Sequence, residues 1–316
     1  MMKYFVYKMH FPAGVRAGHG RLDEVKPTIY ADTLFSALIN ECACIDRQAL
    51  EQLITYTRQG QLRLTDAFPF IKEELYLPKP ILFHEPAAAE ETATIRNSKK
   101  LLKKIKYVSI DEWDNYLADN MDYDFMLELI QDLGASVVDT KIKQEESGEH
   151  KIYNVAYFRF KEQSGLYFIL GTEADEVQTI FNRVFDSLSF TGIGGKKSIG
   201  LGRFAYSVAD LPAELLTKIN KQLKARSMLL TTSIYSAAEQ GILKNTTYYY
   251  QLVRRGGFIY SDSTPLLNED LRRKKDLYFF QAGSVFEKEY NGELLQLDQI
   301  SSHPIYKYSL PIWMEV

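Results

Sequence analysis

The densest concentration of chemistry-bearing residues is Phe190-Thr-Gly192-Ile-Gly194-Gly195-Lys196-Lys197-Ser198-Ile-Gly200-Leu-Gly202-Arg203, with five glycines in eleven residues and three cations among them. Glycines admit positive φ and let a ligand approach the backbone, so successive N–H groups can line a concavity that suits a phosphate. Lys196, Lys197 and Arg203 add charge. The expectation is a phosphodiester cradle. Two nucleotide motifs fail on this stretch: a Walker A loop needs glycine at position 190, which is Phe, and the near-match to the dinucleotide fingerprint at Gly200, Gly202 and Ala205 leads into a strand, not a helix.

A second concentration is Tyr248-Tyr249-Tyr250-Gln-Leu-Val-Arg254-Arg255-Gly256-Gly257-Phe258. Aromatic rings stack on unpaired bases and guanidinium groups grip phosphates, which together suit single-stranded RNA. Tyr249, Arg254 and Arg255 are therefore candidate RNA contacts, while Tyr248 and Tyr250 also suit an ordinary strand. A third is the loop Gly14-Val-Arg16-Ala-Gly18-His19-Gly20-Arg21, a histidine between two arginines. Imidazole titrates near neutrality and could act as a general acid or base on RNA. No second histidine or carboxylate completes a catalytic set, so Arg16, His19 and Arg21 are read as RNA contacts. The basic runs Lys99–Lys106 and Arg272–Lys275 suit either phosphate contacts or solvated faces. No Cys/His spacing suits zinc, and neither a zincin motif nor a nucleophile elbow is present. The residues indicate no enzyme, no metal and no cofactor.

These residues need a frame. Lys3–Met9 reads as a first strand, Gly14, Gly18 and Gly20 as a loop, and Asp32 as the N-cap of a helix whose stripe is Phe35, Leu38, Ile39 and Cys42. Pro78 and Pro80 restrict Leu75–Phe83 to extended geometry and argue against a central place in a sheet. Glu85–Glu91 is small and acidic and Arg96–Lys106 purely basic, which suggests an insertion. Two alternating runs within Val137–Phe160 predict a protruding β-hairpin with a polar tip, and Leu166–Leu170 a buried strand. Val177, Ile180, Phe181, Val184, Phe185 and Leu188 give the clearest helical spacing, and Arg203–Val208 a closing strand. Strand, helix, hairpin strands, helix, strand is the βαββαβ order of a ferredoxin-like (RRM-like) domain. The fold class is α+β. The domains expected are 1–208, with insertions and the glycine-rich loop, and 209–316, a degenerate second ferredoxin-like domain with strands at Ser227–Tyr235, Tyr248–Val253, Gly257–Ser261 and Leu277–Phe280.

Composition bounds the partners. The 316 residues carry 38 Lys+Arg against 41 Asp+Glu, a net charge of -3, so any nucleic acid must be held by a local patch. With 18 Phe and 21 Tyr the chain folds. No stretch reaches the ~20 apolar residues of a membrane helix, and the first residues do not read as a signal peptide, so a soluble, cytoplasmic chain is expected. Helical geometry points Cys42 and Cys44 apart, which excludes a disulfide between them.

Read together, Tyr30-Ala-Asp32-Thr33-Leu34-Phe35-Ser36-Ala37-Leu38 and the Gly-Gly-Lys-Lys-Ser-x-Gly-Leu-Gly-Arg-Phe loop resemble the RAMP proteins of CRISPR effector complexes, and within them the fourth-subunit (Cas5-like) group of the type III-A Csm complex. The resemblance implies two RRM-like domains, a guide RNA and no catalysis. Members of that family hold the repeat-derived 5′ tag of the guide RNA (crRNA) and bridge the large polymerase-like subunit to the repeated backbone subunit in antiviral defence. The stretch Gly192–Arg203 corresponds to their glycine-rich RNA-binding loop. Their thumb-like hairpin meets the guide–target RNA duplex, and Val137–Phe160 is the candidate here, with Arg96–Lys106 second. The sheet lacks the aromatic motifs by which ordinary RRMs read bases, so tag recognition is expected to rest on loops. Two other readings stay open at this point: a metal-independent endoribonuclease that processes repeat RNA through His19, and a structural adaptor whose glycine loop meets protein.

Overall fold

The structure is a computed structural model describing residues 2–17, 22–82, 101, 103–144, 150–221, 225–257, 259, 274–297 and 304–316. In chain order the first part gives β1 (Lys3–His10), α1 (Ala31–Ile45), α2 (Arg47–Arg58), β2 (Leu62–Leu64), β3 (Phe68–Ile71), β4 (Glu74–Pro78) and β5 (Tyr107–Ser109). There follow α3 (Trp113–Leu117), α4 (Tyr123–Gln131), β6 (Gly134–Gln144), β7 (His150–Phe160), β8 (Ser164–Thr172), α5 (Asp175–Thr191) and β9 (Ala205–Asp210).

The main antiparallel sheet has the order β5-β4-β3-β8-β1-β9, with β2 also pairing to β8. Every residue of β8 is buried, because the strand is paired on both edges and covered on both faces. Its alternation sorts the two cores: Leu166, Phe168 and Leu170 join one, Tyr167 and Ile169 the other. The first core lies under α1 and α5, whose Leu34, Phe35 and Leu38 meet Val177, Phe181 and Phe185. All six residues of the α5 pattern are buried, as their spacing predicts, and on α1 Phe35, Leu38 and Cys42 are buried while Ile39 is half-buried. Aromatic rings of Tyr7, Phe168, Phe181, Phe185 and Tyr206 interlock there at centroid distances of 4.8 to 6.1 Å.

The remaining chain supplies α6 (Ala213–Asn220), β10 (Ser227–Leu229), β11 (Tyr248–Tyr249), β12 (Leu252–Arg255), β13 (Leu277–Phe280), β14 (Val285–Phe286), β15 (Glu293–Leu297), β16 (Ile305–Ser309) and β17 (Trp313–Glu315). A four-stranded sheet β11-β14-β10-β17 and the pairs β12-β13 and β15-β16 result. This part straddles the main sheet. Met228, Leu230, Ile312 and Met314 pack into the second core, whereas Leu294, Tyr306 and Tyr308 reach the first core beside α1. Among the described residues, a small cluster around Phe280, Phe286, Tyr290 and Trp313 belongs to it alone.

Several expectations change. The hairpin exists as β6 and β7, in register from Gly134↔Phe160 to Gln144↔His150, but it forms a sheet of its own. On the edge of β8 away from β1 the paired strands are instead β2 and β3, too short for a period-2 pattern to reveal. Val138, Ile142 and Ile152 stay exposed on the hairpin, so nothing drives it into the main sheet. Leu75–Phe83 contributes β4, which lies between β3 and β5 despite Pro78. The proline closes the strand opposite Tyr107, beyond the two positions, Glu74 and Leu75, where β4 meets β3. Asp32 does not cap α1. Tyr30 holds that position, and Asp32 sits in the first turn with its carboxylate turned to Arg255. The closing strand begins at Ala205, two residues after Arg203. The segments 85–91, 96–100, 258, 260 and 261 lie outside the described residues. Among the described residues no helix is long and apolar enough to cross a membrane, and Cys42 and Cys44 are free thiols, one buried and one exposed.

Candidate nucleic-acid interface

Helix α5 ends where Gly192 turns to φ 87°, a conformation that costs glycine little. The loop that follows is held by its own backbone. The N–H groups of Gly192, Ile193, Gly195, Ile199, Gly200 and Gly202 donate to the carbonyls of Leu188, Gly202, Arg16, Lys196, Lys197 and Gly14 at 2.7 to 3.2 Å. At these six positions the amides build the loop and are not offered to a ligand. The glycines admit close packing instead: a Cβ on Gly202 would lie 2.0 Å from the Ile193 carbonyl oxygen, and one on Gly194 2.4 Å from that of Arg16. The backbone of Gly194 and Gly195 faces outward together with several side chains. Ser198, Ile199 and Arg203 are exposed, and Lys196 and Lys197 half-exposed.

Lys196 carries a left-handed backbone, φ 62°, where most side chains are strained. Its ammonium lies 5.2 Å from the centre of the Tyr153 ring on β7. The loop therefore reaches the hairpin. A seam at Gly14–Arg16 completes the connection: Val15 and Phe158 exchange two backbone bonds of 2.9 Å, Gly14 accepts from Gly202, and Arg16 accepts from Gly195. Arg16 itself is turned inward and buried, with Nη1 donating to the carbonyls of Leu22 and Ala156 at 2.8 and 2.6 Å. Its charge holds the seam and is not presented to a ligand. Gly18, His19, Gly20 and Arg21 lie outside the described residues.

The second predicted group divides. Arg254 is exposed, 3.8 Å from Asp276, whereas Arg255 is buried. Arg255 donates from Nη2 to Asp32 Oδ1 at 2.6 Å and to Thr33 Oγ1 at 2.9 Å, and its Nε meets both Asp32 oxygens at 3.2 Å. Its guanidinium also lies 4.0 Å from the centre of the Tyr30 ring. Arg255 is thus a buried tie between β12 and the start of α1, not a phosphate ligand, because a bidentate carboxylate takes its donors. Lys307 donates to the Arg255 carbonyl, and burial pulls its amine down to about 8. Tyr248 stacks on Phe286, Tyr250 meets Phe280 edge to face, and Tyr249 is half-buried in β11.

The elements place these groups at one end. Helices α1 and α5 run antiparallel, with Arg183 on Asp46 at one end and Thr191 on Glu41 nearer the other, so the glycine loop leaves α5 on the side where α1 begins. The sequence reading left one further feature undecided. Lys103 and Lys106 of the basic run stand on the wall of a cleft of about 320 Å³ shared with Lys26 and Lys79. Lys26 and Lys79 carried no local signal, because they come from separate loops that only the fold brings together.

The RAMP superfamily profile matches residues 12–205, and that of the CRISPR Csm4 C-terminal domain matches residues 222–316. CRISPR system Cms protein Csm4 of Streptococcus thermophilus is 31% identical over 325 residues, covering 100% of this chain and 99% of its own. The protein of the same name from Mycobacterium tuberculosis is 30% identical over 290 residues, covering 90% and 88%. A chain in the crystal structure of a Csm1-Csm4 cassette in complex with cA4 superposes with a TM-score of 0.63 at 21% identity, covering 99% of this chain and 98% of that one. A chain of the Csm3-Csm4 subcomplex of the type III-A CRISPR-Cas interference complex gives 0.63 at 20% identity, covering 99% of both. These last two likenesses concern the fold.

Proposed function

The chain belongs to the Csm4 family of the RAMP superfamily, and from that membership we propose that it is the non-catalytic guide-RNA-binding subunit of a type III-A CRISPR interference complex. It holds the repeat-derived 5′ tag and bridges the large polymerase-like subunit to the backbone subunits. The relatives' structures with Csm1 and with Csm3 support the bridging role. The observation that carries the RNA reading is the glycine loop, whose backbone is fixed by protein carbonyls while Lys196, Lys197, Ser198 and Arg203 project from it. A loop fixed in this way and bearing cations positions a sugar–phosphate chain without reading sequence.

The strand order β9-β1-β8-β3, with α1 and α5 on one face, supports a ferredoxin-like first domain. The gap between the two family matches, 206–221, supports a division after residue 208. The hairpin β6-β7, joined to the loop through Val15 and Tyr153, is the proposed thumb that meets the guide–target duplex. The experiment is Lys196→Ala/Lys197→Ala in the assembled complex, with guide affinity titrated against salt. Affinity falls and the log–log salt slope flattens by about one to two. Unchanged affinity and slope would falsify the assignment of the loop.

A further inference from the structure

The outer edge of the main sheet has no role in the reading above. Strand β9 ends the strand order and, among the described residues, pairs with β1 alone. Natural sheets blunt such an edge with a very short strand, a lysine, a proline or a bulge. The opposite edge, β5, is three residues long, and the hairpin carries Lys141, Lys143 and Lys151. Strand β9 has six residues, Ala-Tyr-Ser-Val-Ala-Asp, and its register with β1 runs unbroken from Phe5↔Asp210 to His10↔Ala205. It has none of these devices.

The groups that this edge offers follow from the ladder. In antiparallel pairing each residue turns both backbone groups to one side, and successive residues alternate. Ile169 on β8 turns its C=O to the Thr65 N–H at 3.1 Å and its N–H to the Thr65 hydroxyl at 2.9 Å, hence away from β1. Its partner Val6 therefore faces β9 and bonds Ala209, and the alternation gives Ser207 and Ala205 to β1 as well. Tyr206, Val208 and Asp210 then aim three N–H and three C=O groups outward.

The side chains of the same three residues share the face under α5, where Tyr206 packs on Phe185. Val208, 42% exposed, stands between Asp210 at the strand's end and Asp186 of α5, an exposed carboxylate that accepts from the Tyr206 hydroxyl. Lys3, on the neighbouring β1, is already on Asp175. An apolar group between two acids repels a phosphate chain and suits a strand that alternates cation, apolar residue and cation. Two copies paired about Val208 would set Asp210 of each near Asp186 of the other, which disfavours self-pairing. Resting on the assignment of the chain to a multisubunit complex, we infer that β9 receives an extended segment of a neighbouring protein subunit. That segment adds a strand to the main sheet and carries Lys or Arg on both sides of an apolar residue, at two-residue steps.

The test is amide hydrogen exchange on the full chain, free and assembled with the large and backbone subunits and guide RNA. In the free chain Ser207 and Ala209 exchange slowly and Tyr206, Val208 and Asp210 fast. Assembly slows those three by more than about ten-fold. Val208→Pro removes one outward N–H and no bond of the β1 ladder. It lowers affinity for the other subunits about 5- to 100-fold, the range for one bond whose acceptor is left unmet, while thermal unfolding stays as in wild type. Asp186→Lys/Asp210→Lys keeps every backbone group and gives a loss of affinity that grows as salt is lowered. Fast exchange of the three amides in the complex overturns the inference. Slowing by guide RNA alone would assign the edge to RNA, and slowing in the free chain that rises with its concentration would assign it to a second copy; either result overturns it too. Failure of the chain to join the complex defeats the subunit assignment on which the inference rests, so the two failures are distinct.

Discussion

Replacing Arg255 separates two roles that the sequence alone could not. Its guanidinium is buried against Asp32, whose side chain is 7% exposed, and makes bonds of 2.6 and 3.2 Å to that carboxylate. Arg255→Met leaves an ionised carboxylate buried without its partner, a change that usually costs ~3–5 kcal/mol. Lys274 and Lys307 also act on this region through their charge, so the lower end, about 3 kcal/mol, is expected. Arg255→Lys loses less but does not restore stability, since an ammonium cannot reproduce the fork. The paired Asp32→Leu/Arg255→Met recovers much of the loss, because neither charge then remains buried alone. Urea unfolding of wild type, Asp32→Leu, Arg255→Met and the paired variant gives the coupling between the two sites. Guide affinity of Arg255→Met, measured where the variant is folded, stays within about two-fold of wild type, as ~1.4 kcal/mol would be needed for a tenfold change. Full stability combined with a large loss of RNA affinity would refute the reasoning and return Arg255 to the RNA face.

The glycine loop gives a contrasting pair. Gly202→Ala forces a Cβ to 2.0 Å from the Ile193 carbonyl and lowers both stability, by ~1–3 kcal/mol, and guide affinity, as thermal unfolding and filter binding would show. Lys196→Gly relieves the left-handed backbone, so stability changes by less than about 1 kcal/mol while guide affinity falls; equal loss of both would mean the lysine is structural. Lys307 binds its proton less tightly in the native state than at its ordinary 10.5, so between pH 8 and 10.5 the unfolded chain holds more protons and stability rises with pH. Stability curves of wild type and Lys307→Met should diverge in slope across that window, and parallel curves count against the burial of this amine. Incubating the chain with labelled repeat RNA in EDTA should yield no product; specific cleavage would establish the endoribonuclease alternative. Ile142→Ser/Ile152→Ser, at side chains 67% and 72% exposed, should leave unfolding unchanged and alter only the response to target RNA.

Where a long element buries one face, its residues announced it. The i, i+3, i+4 pattern of α5 and the apolar run of β8 correspond to buried surface residue for residue. The flanking strands β2 and β3 escaped because three or four residues carry no measurable period, and their pairing is set by β8, a hundred positions away in sequence. The strands β14 to β17 were lost for the same reason, each short and each paired to another short strand of the C-terminal part. Charge was the least legible property. Arg16 and Arg255 look identical to Arg203 and Arg254 in sequence, and only the carbonyls and the carboxylate that the fold delivers to them decide which point inward.

That sorting of cations also answers how a chain of net charge -3 can hold RNA. Arg16, Arg255 and Lys307 are buried and contribute to the frame, while exposed acids such as Asp175, Glu73 and Asp132 are matched by Lys3, Lys8 and Lys161. The local field near the loop and the cleft is then set by Lys196, Lys197, Arg203, Lys26, Lys103 and Lys106, and an exposed charge more than ~8–10 Å away is largely screened at physiological salt. RNA affinity therefore follows the few groups within one screening length of the strand and not the total. Reversing an exposed acid at the start of α5, the helix end opposite the loop, as in Asp175→Lys, raises the net charge yet should leave the salt slope of guide binding where it was.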